Sequence, residues 1–227
     1  MRLRTNALLG GAALTLALSA VIAAQSAGVH PISGRRYAPV MGYQGAPWLE
    51  RSEREEEEAP DVALNALKIP KGASVADIGA GSGYLTVRLS ARVGAAGHVF
   101  ANDVQPQMLN MLARRLSNSK ITNVTLIEGT LDDPRLPPAS VDLVLMVDVY
   151  HELSQPQAML RHLRNSLKPG GRLVLLEYRK EDPTVPIKPE HKMSVAEAKM
   201  EVEAEGFTLA KVDEALPRQH ILIFVVK

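Results

Sequence analysis

Along this 227-residue chain the hydrophobic and polar positions change character three times. Positions 7–24 form an apolar run without a charge, LLGGAALTLALSAVIAA at its heart. The run is entered past Arg2 and Arg4 and left through Ala23, Ala24, Ser26 and Ala27. A basic start, an apolar middle and a small-residue exit are the parts of a secretory signal peptide. The run is also near the lower length limit for a membrane span. Residues 1–27 are therefore expected to be a signal peptide or membrane anchor, which predicts an exported, periplasmic or membrane-anchored protein. A buried N-terminal helix of a cytoplasmic protein is the alternative. Residues 28–49 shift to Gly, Pro and aromatics and read as an irregular linker or docking arm. The run ERSEREEEEAPD that follows reads as a solvated acidic helix face, broken or restarted at Pro60.

After Ile69 short β-rich runs alternate with helix-like stretches. Strands are predicted over 75–78, 98–102, 124–127, 141–147, 172–178, 208–212 and 220–226. Helices are predicted over 84–93, 106–116, 157–167 and 194–205. The fourth strand, VDLVLMV, is nearly all apolar, as a strand buried on both faces must be. The fourth helix starts on Ser194 with Glu197 three positions on, a capping-box pattern, and Gly206 ends it. Strands alternating with helices predict an α/β fold, a doubly wound, mostly parallel, Rossmann-like sheet. The last two runs, joined without a helix, predict a terminal antiparallel hairpin.

Composition narrows the chemistry. Zero cysteines exclude disulfides, thiolate metal sites and cysteine nucleophiles. A net charge of +1 and 4% aromatics supply neither a basic footprint nor base-stacking platforms, so no nucleic-acid partner is expected. The positive excess itself sits in the N-terminal segment, on Arg2 and Arg4.

The chemistry is predicted where strands end. VADIGAGSGYLTVRL places Asp77 and the turn Gly79-Ala80-Gly81-Ser82-Gly83 between a strand and a helix. Glycines permit a tight turn and close approach of a ligand, and a helix N-terminus favours electron-rich groups. Tyr84 stands where a dinucleotide fingerprint needs its third glycine, and Asp77 would repel a pyrophosphate. That carboxylate suits a ligand carrying an ammonium or hydroxyls. Asp103 follows the second strand, twenty positions after Gly83, where an open α/β sheet sets a carboxylate on ribose hydroxyls. The plainer role for Asp103 is a helix cap.

These features resemble the class I S-adenosylmethionine-dependent methyltransferases, in particular their small-molecule branch, over 50–227. DIGAGSG is similar to that family's cofactor turn, Asp103 to its ribose acid, and LKPGG before RLVLLEY to its entry into the fifth strand. The resemblance implies S-adenosylmethionine as cofactor. It implies that Asp77, Gly79, Gly81 and Gly83, with Ala80 and Tyr84 beside them, hold its amino-acid part. Asp103 would bind the ribose, with Val104 and Met108 flanking the adenine. Thr130 and Leu131 follow the third strand where family members carry an acid near the adenine amine, and Asp132 is the substitute. Asp148 opens DVYHEL, which that family sets at the mouth of the cofactor cleft.

The implied activity is methyl transfer to a small-molecule acceptor. In-line displacement from a sulfonium depends mostly on alignment and desolvation. A base is needed only for an acceptor that carries a proton near neutral pH. His151 is the base candidate, with Glu152 to orient it; its plainer role is to cap or pack on the following helix. His191, in the insert-like TVPIKPEHKMS after the fifth strand, is a second candidate, and Glu177 and Tyr178 end that strand near the same cleft. His30, His98, His162 and His220 show no metal-ligand spacing, so no metal is predicted. An exported binding or scaffold protein without turnover, and a nicotinamide-dependent oxidoreductase, are the alternatives.

Overall fold

The computed structural model describes residues 28–227; the expected signal peptide or anchor at 1–27 lies outside the described residues. Among the described residues no helix is long and apolar enough to cross a membrane. Seven strands form one sheet: β1 (Ser74–Ile78), β2 (His98–Asp103), β3 (Val124–Glu128), β4 (Val141–Val147), β5 (Leu167–Tyr178), β6 (Phe207–Asp213) and β7 (Gln219–Val226). Their order is β3-β2-β1-β4-β5-β7-β6. The pairs β2–β3, β1–β2, β1–β4 and β4–β5 are parallel, whereas β7 runs antiparallel to both β5 and β6. This is the expected Rossmann-like sheet with its antiparallel ending. Strand order reverses between β1 and β4, and at such a switch point the crevice beyond the carboxyl ends receives a ligand.

The strands are buried on both sides because their alternate residues feed two cores. Ala76, Ile78, Val144, Met146, Leu173, Leu175, Leu222 and Phe224 share one face. Val75, Leu143, Leu145, Val174, Leu176, Ile221 and Ile223 share the other. The helices are α1 (Ala46–Leu49), α2 (Arg54–Glu58), α3 (Pro60–Ala66), α4 (Tyr84–Val93), α5 (Pro106–Asn118), α6 (Pro156–Ser166) and α7 (Val195–Glu203). Apolar stripes of α6 and α7 (Met159, Leu160, Leu163, Ala198, Val202) cover the first face. Those of α3 and α4 (Ala63, Leu64, Leu85, Leu89, Val93) cover the second. Leu112 and Leu116 of α5 pack on Ala80 and Ala101 beside it. The capping box forms: Glu197 N–H donates to Ser194 Oγ at 3.1 Å, and Ser194 N–H to Glu197 Oε2 at 3.0 Å.

Three features correct or narrow the sequence reading. The acidic run is a solvated face on one side only: Glu53, Glu55 and Glu56 are exposed, whereas Arg54 and Glu58 of α2 are 5% and 3% exposed. Glu58 accepts from Arg54 Nε at 2.5 Å, Arg51 Nη2 at 2.8 Å and the Tyr178 hydroxyl at 2.9 Å. Two arginines inside the run, Arg51 and Arg54, hold Glu58 in place, which a count of acids conceals. The fifth strand begins at Leu167, which pairs with Val141, and resumes register at Arg172 with Leu143. The Lys168-Pro169-Gly170-Gly171 stretch is therefore a bulge within the strand, with Gly170 at φ +78°, rather than a connection between the predicted helix and strand.

The third feature is the segment 28–49: of its two readings, linker or docking arm, the structure has the docking arm, with part of it buried. Tyr37, Ala38 and Ala46 are buried, together with His30 and Arg35. Arg35 makes a bidentate pair with Glu201 of α7, Nε to Oε1 at 3.0 Å and Nη2 to Oε2 at 2.9 Å. Its Nη1 donates to the His151 carbonyl at 2.9 Å, and Ala38 N–H donates to the same oxygen at 3.0 Å. Further along, Met41 N–H meets Glu152 Oε1 at 3.3 Å. Gln105 Nε2 reaches the Met41 carbonyl at 3.0 Å, and Tyr43 N–H returns to Gln105 Oε1 at 2.8 Å. The segment thus runs as a strap from α7 across the loops after β4 and β2, over the carboxyl ends of the central strands.

Candidate functional site

Beneath the strap lies a cavity of about 610 Å³ at the switch point, within the size range of a small-molecule or cofactor site. The turn after β1 forms its floor. Gly79 and Gly83 hold φ of +71° and +89°, a region open to glycine. A Cβ on Gly79 would meet Val149 Cγ2 at 2.4 Å, and one on Gly83 would meet Leu112 Cδ1 at 2.2 Å. Gly79 and Gly81 line the cavity. Gly83 starts α4 from behind, and Ala80 donates its N–H to the Asn102 carbonyl at 2.9 Å, so these two brace the turn.

Asp103, at the end of β2, faces the cavity with Val104 and Met108. Its Oδ2 accepts the Gly81 N–H at 2.9 Å and its Oδ1 the Gln105 N–H at 2.8 Å. Burial raises the carboxyl pKa, and the backbone N–H groups of Gln105, Gly81 and Val104 oppose that rise. Asp103 therefore ties the turn after β1 to the loop after β2 while keeping lone pairs for a ligand. Thr130 and Leu131 also line the wall. Asp132 does not line it: its carboxylate accepts the Thr130 hydroxyl at 2.7 Å and shapes that loop.

Asp77 and Tyr84 lie outside the cavity lining as well. Asp77, 3% exposed, accepts the Thr86 hydroxyl at 2.6 Å. Burial pushes its carboxyl up to about 6, with the Thr86 bond opposing and the Asp103 charge adding to the rise. An acid whose pKa rises on folding holds a proton that the unfolded chain has released, so stability falls as pH climbs from about 3.8 through about 6. Asp77→Asn removes that term. From about pH 4.5 to about pH 7.5 the stability difference between variant and wild type is expected to move by about 2 kcal/mol in favour of the variant. Urea denaturation of both proteins across that range checks it, and a pH-independent difference would count against it. Tyr84 is sandwiched between Arg54 and Arg88, whose guanidinium carbons stand 4.3 and 4.1 Å from its ring centre.

Asp148 follows β4 at φ +55°, a strained value for a non-glycine residue. Its Oδ2 accepts from Gln219 Nε2 at 2.8 Å, while its Oδ1 is buried without a partner. Burial, then Glu58, then Glu177 drive its carboxyl well above the ordinary range. The residues lining the cavity therefore fit a ligand that brings hydroxyls toward Asp103 and packs its body against the Gly79–Gly81 turn.

The short 3₁₀ turns Tyr150–Glu152 and Pro189–His191 bring the three candidate catalytic residues together at the cavity mouth. His151, 2% exposed, shares Nδ1 with Glu177 Oε2 at 2.5 Å, and its Nε2 lies 3.1 Å from His191 Nδ1. Glu152 Oε1 is 3.9 Å from the same His191 nitrogen. Glu177 is fully buried and also accepts the Tyr150 N–H at 2.9 Å. Burial disfavours the charged His151 ring, but the Glu177 carboxylate outweighs it and the pKa is raised. Burial lowers His191, and the neighbouring His151 lowers it further. Burial pushes the Glu152 carboxyl up to about 7. The expectation of no metal-ligand cluster rested on spacing along the chain. Folding instead joins His151, Glu152 and His191, whose donor atoms lie within 4.8 Å of one another.

Several lining residues escaped the sequence reading. Pro39, Val40 and Met41 of the strap and Trp48 and Leu49 of α1 enclose one side, and Arg54 and Gln105 add polar groups. For Arg54 the available signal was its position four residues before Glu58 within the acidic run. The composition of 28–49 marked a linker or docking arm, but nothing local placed it over the cavity.

Comparison with known proteins agrees with this geometry. Residues 75–171 match the family model described as a methyltransferase domain. The ubiquinone/menaquinone biosynthesis C-methyltransferase UbiE of Vibrio vulnificus is 34% identical over 110 residues, 48% of this chain and 42% of that protein. UbiE of Citrobacter koseri is 31% identical over 118 residues, 52% and 47% of the two chains. This chain thus spans less than half the length of these relatives. A crystal structure of a SAM-dependent methyltransferase from Aquifex aeolicus superposes with a TM-score of 0.78 at 26% identity, covering 83% of this chain and all of that one. The methyltransferase partner of Trm112 from Haloferax volcanii, at 20% identity and a TM-score of 0.65, shares the fold over 80% and 95% of the two chains. Residues 75–171 thus match a methyltransferase domain, and the seven-stranded sheet around them has the Rossmann-like methyltransferase fold.

Proposed function

We propose that this protein transfers the methyl group of S-adenosylmethionine to a small-molecule acceptor at the mouth of the cavity under the strap. The observation that carries the reading is the placement of Asp103 beside the Gly79–Gly81 turn along one cavity wall. Asp103 presents lone pairs to a ribose, Val104 and Met108 flank an adenine, and Gly79 and Gly81 leave room for the amino-acid part. When bound, the cofactor supplies the electrophilic methyl carbon. The chain supplies alignment and a dry site, with the strap residues Pro39, Val40 and Met41 and the β4 loop excluding water.

The acceptor side is bounded by Leu153, Met159, Pro186 and Ile187, with His151, Glu152 and His191 as its polar end. This supports an acceptor with an apolar body and one oxygen-bearing end. The UbiE relatives, named for C-methylation in quinone biosynthesis, support the same chemical class. The test is titration calorimetry with S-adenosylhomocysteine, followed by incubation with methyl-labelled cofactor and a panel of small phenols, quinols and aliphatic alcohols. Saturable binding and a labelled small-molecule product are expected. A full-length chain that fails to bind the product cofactor would overturn the reading.

A further inference from the structure

The three donors at the cavity mouth have the arrangement of a metal site. His151 is oriented from behind: Glu177 takes its Nδ1 at 2.5 Å, and Arg35 and Ala38 hold its backbone carbonyl at 2.9 and 3.0 Å. A carboxylate on one ring nitrogen fixes the tautomer and leaves the other nitrogen as a lone-pair donor, the usual support of a metal-binding histidine. That free Nε2 faces His191 Nδ1 at 3.1 Å. Two imidazole nitrogens bound to one tetrahedral zinc at about 2.0–2.1 Å stand about 3.3 Å apart. Glu152 Oε1 completes the set, 3.9 Å from His191 Nδ1. Among the described residues no other three such donors converge this closely. His220 shows the contrast, since both its ring nitrogens are taken by Glu214 and Glu181 at 2.6 and 2.9 Å.

We propose that His151 Nε2, His191 Nδ1 and a Glu152 carboxylate oxygen bind one divalent transition-metal ion of the zinc class. With no cysteine in the chain, two imidazoles and one carboxylate form a set suited to zinc and its first-row neighbours rather than to magnesium or calcium. Three protein ligands leave a position open, and all three residues line the cavity. An oxygen donor of the methyl acceptor would occupy that position and be made easier to deprotonate. This use of the ion rests on the methyl-transfer reading above, whereas its binding does not.

The test is titration of metal-free full-length protein with cobalt(II), read by its visible absorption bands, with zinc as competitor. One ion per chain is expected. His191→Ala and Glu177→Gln are each expected to weaken binding about 10- to 100-fold. His191 is only partly buried, so its variant keeps the fold, which thermal midpoints check. Substoichiometric cobalt, or equal affinity in wild type and His191→Ala, would overturn the proposal. S-adenosylhomocysteine calorimetry on the same wild-type sample separates the two readings. Cofactor binding without metal sinks the ion alone; metal without cofactor sinks the methyl-transfer reading alone.

Discussion

Asp103→Ala is expected to weaken S-adenosylhomocysteine binding by at least about 100-fold, the loss of roughly 3 kcal/mol from charge-assisted hydrogen bonds. Two effects combine. The buried carboxylate is the group placed to accept from ribose hydroxyls, and each bond to a charged acceptor contributes more than a neutral one. It also accepts the Gly81 and Gln105 N–H groups at 2.9 and 2.8 Å, so its removal slackens the turn that forms the cavity floor. Asp103→Asn separates the two. Its amide oxygen can retain one of those backbone bonds, so its affinity should fall between those of wild type and the alanine variant. Calorimetry on all three proteins makes the measurement. Affinity within about threefold of wild type in Asp103→Ala would remove this residue from the ribose role.

The second large effect concerns the strap. Arg35→Ala is expected to destabilise the fold by about 3–5 kcal/mol, because it leaves the Glu201 carboxylate buried without its charge partner. Arg35 is 5% exposed and Glu201 0%, and the pair is bidentate. The guanidinium also lies over Tyr37 and Tyr150, 5.6 and 5.7 Å from their ring centres. With Arg35 gone, the His151 carbonyl loses one of its two donors, so cofactor binding and any turnover should fall with stability. Arg35→Met combined with Glu201→Met should recover most of the loss, since replacing both charges avoids the uncompensated one. Urea denaturation with limited proteolysis of residues 28–49 reads both effects. A cost below about 1 kcal/mol would mean that water or His30 compensates Glu201.

How much of this was legible in the sequence follows from the range of the forces involved. Periodicity is local: the period-two strands, the helical stripes and the Ser194–Glu197 cap each depend on residues a few positions apart. The turn Gly79–Gly83 and the acid at Asp103 were likewise readable, because a strand–turn–helix places them by covalent geometry. Asp77 shows where such reading stops. Its place beside the turn was visible, but whether its carboxylate turned to the ligand or to Thr86 depended on a helix side chain nine residues away.

The sequence by itself thus determined the α/β class, the mostly parallel sheet with its antiparallel ending, and the glycine turn after the first strand. The tertiary structure alone decided the strap's place over the cavity, the buried Arg54–Glu58 pair, and the meeting of His151 with Glu177 and His191. These contacts join residues whose separation in the chain carries no periodic signal, and their stability comes from burial and from charges that only folding brings together.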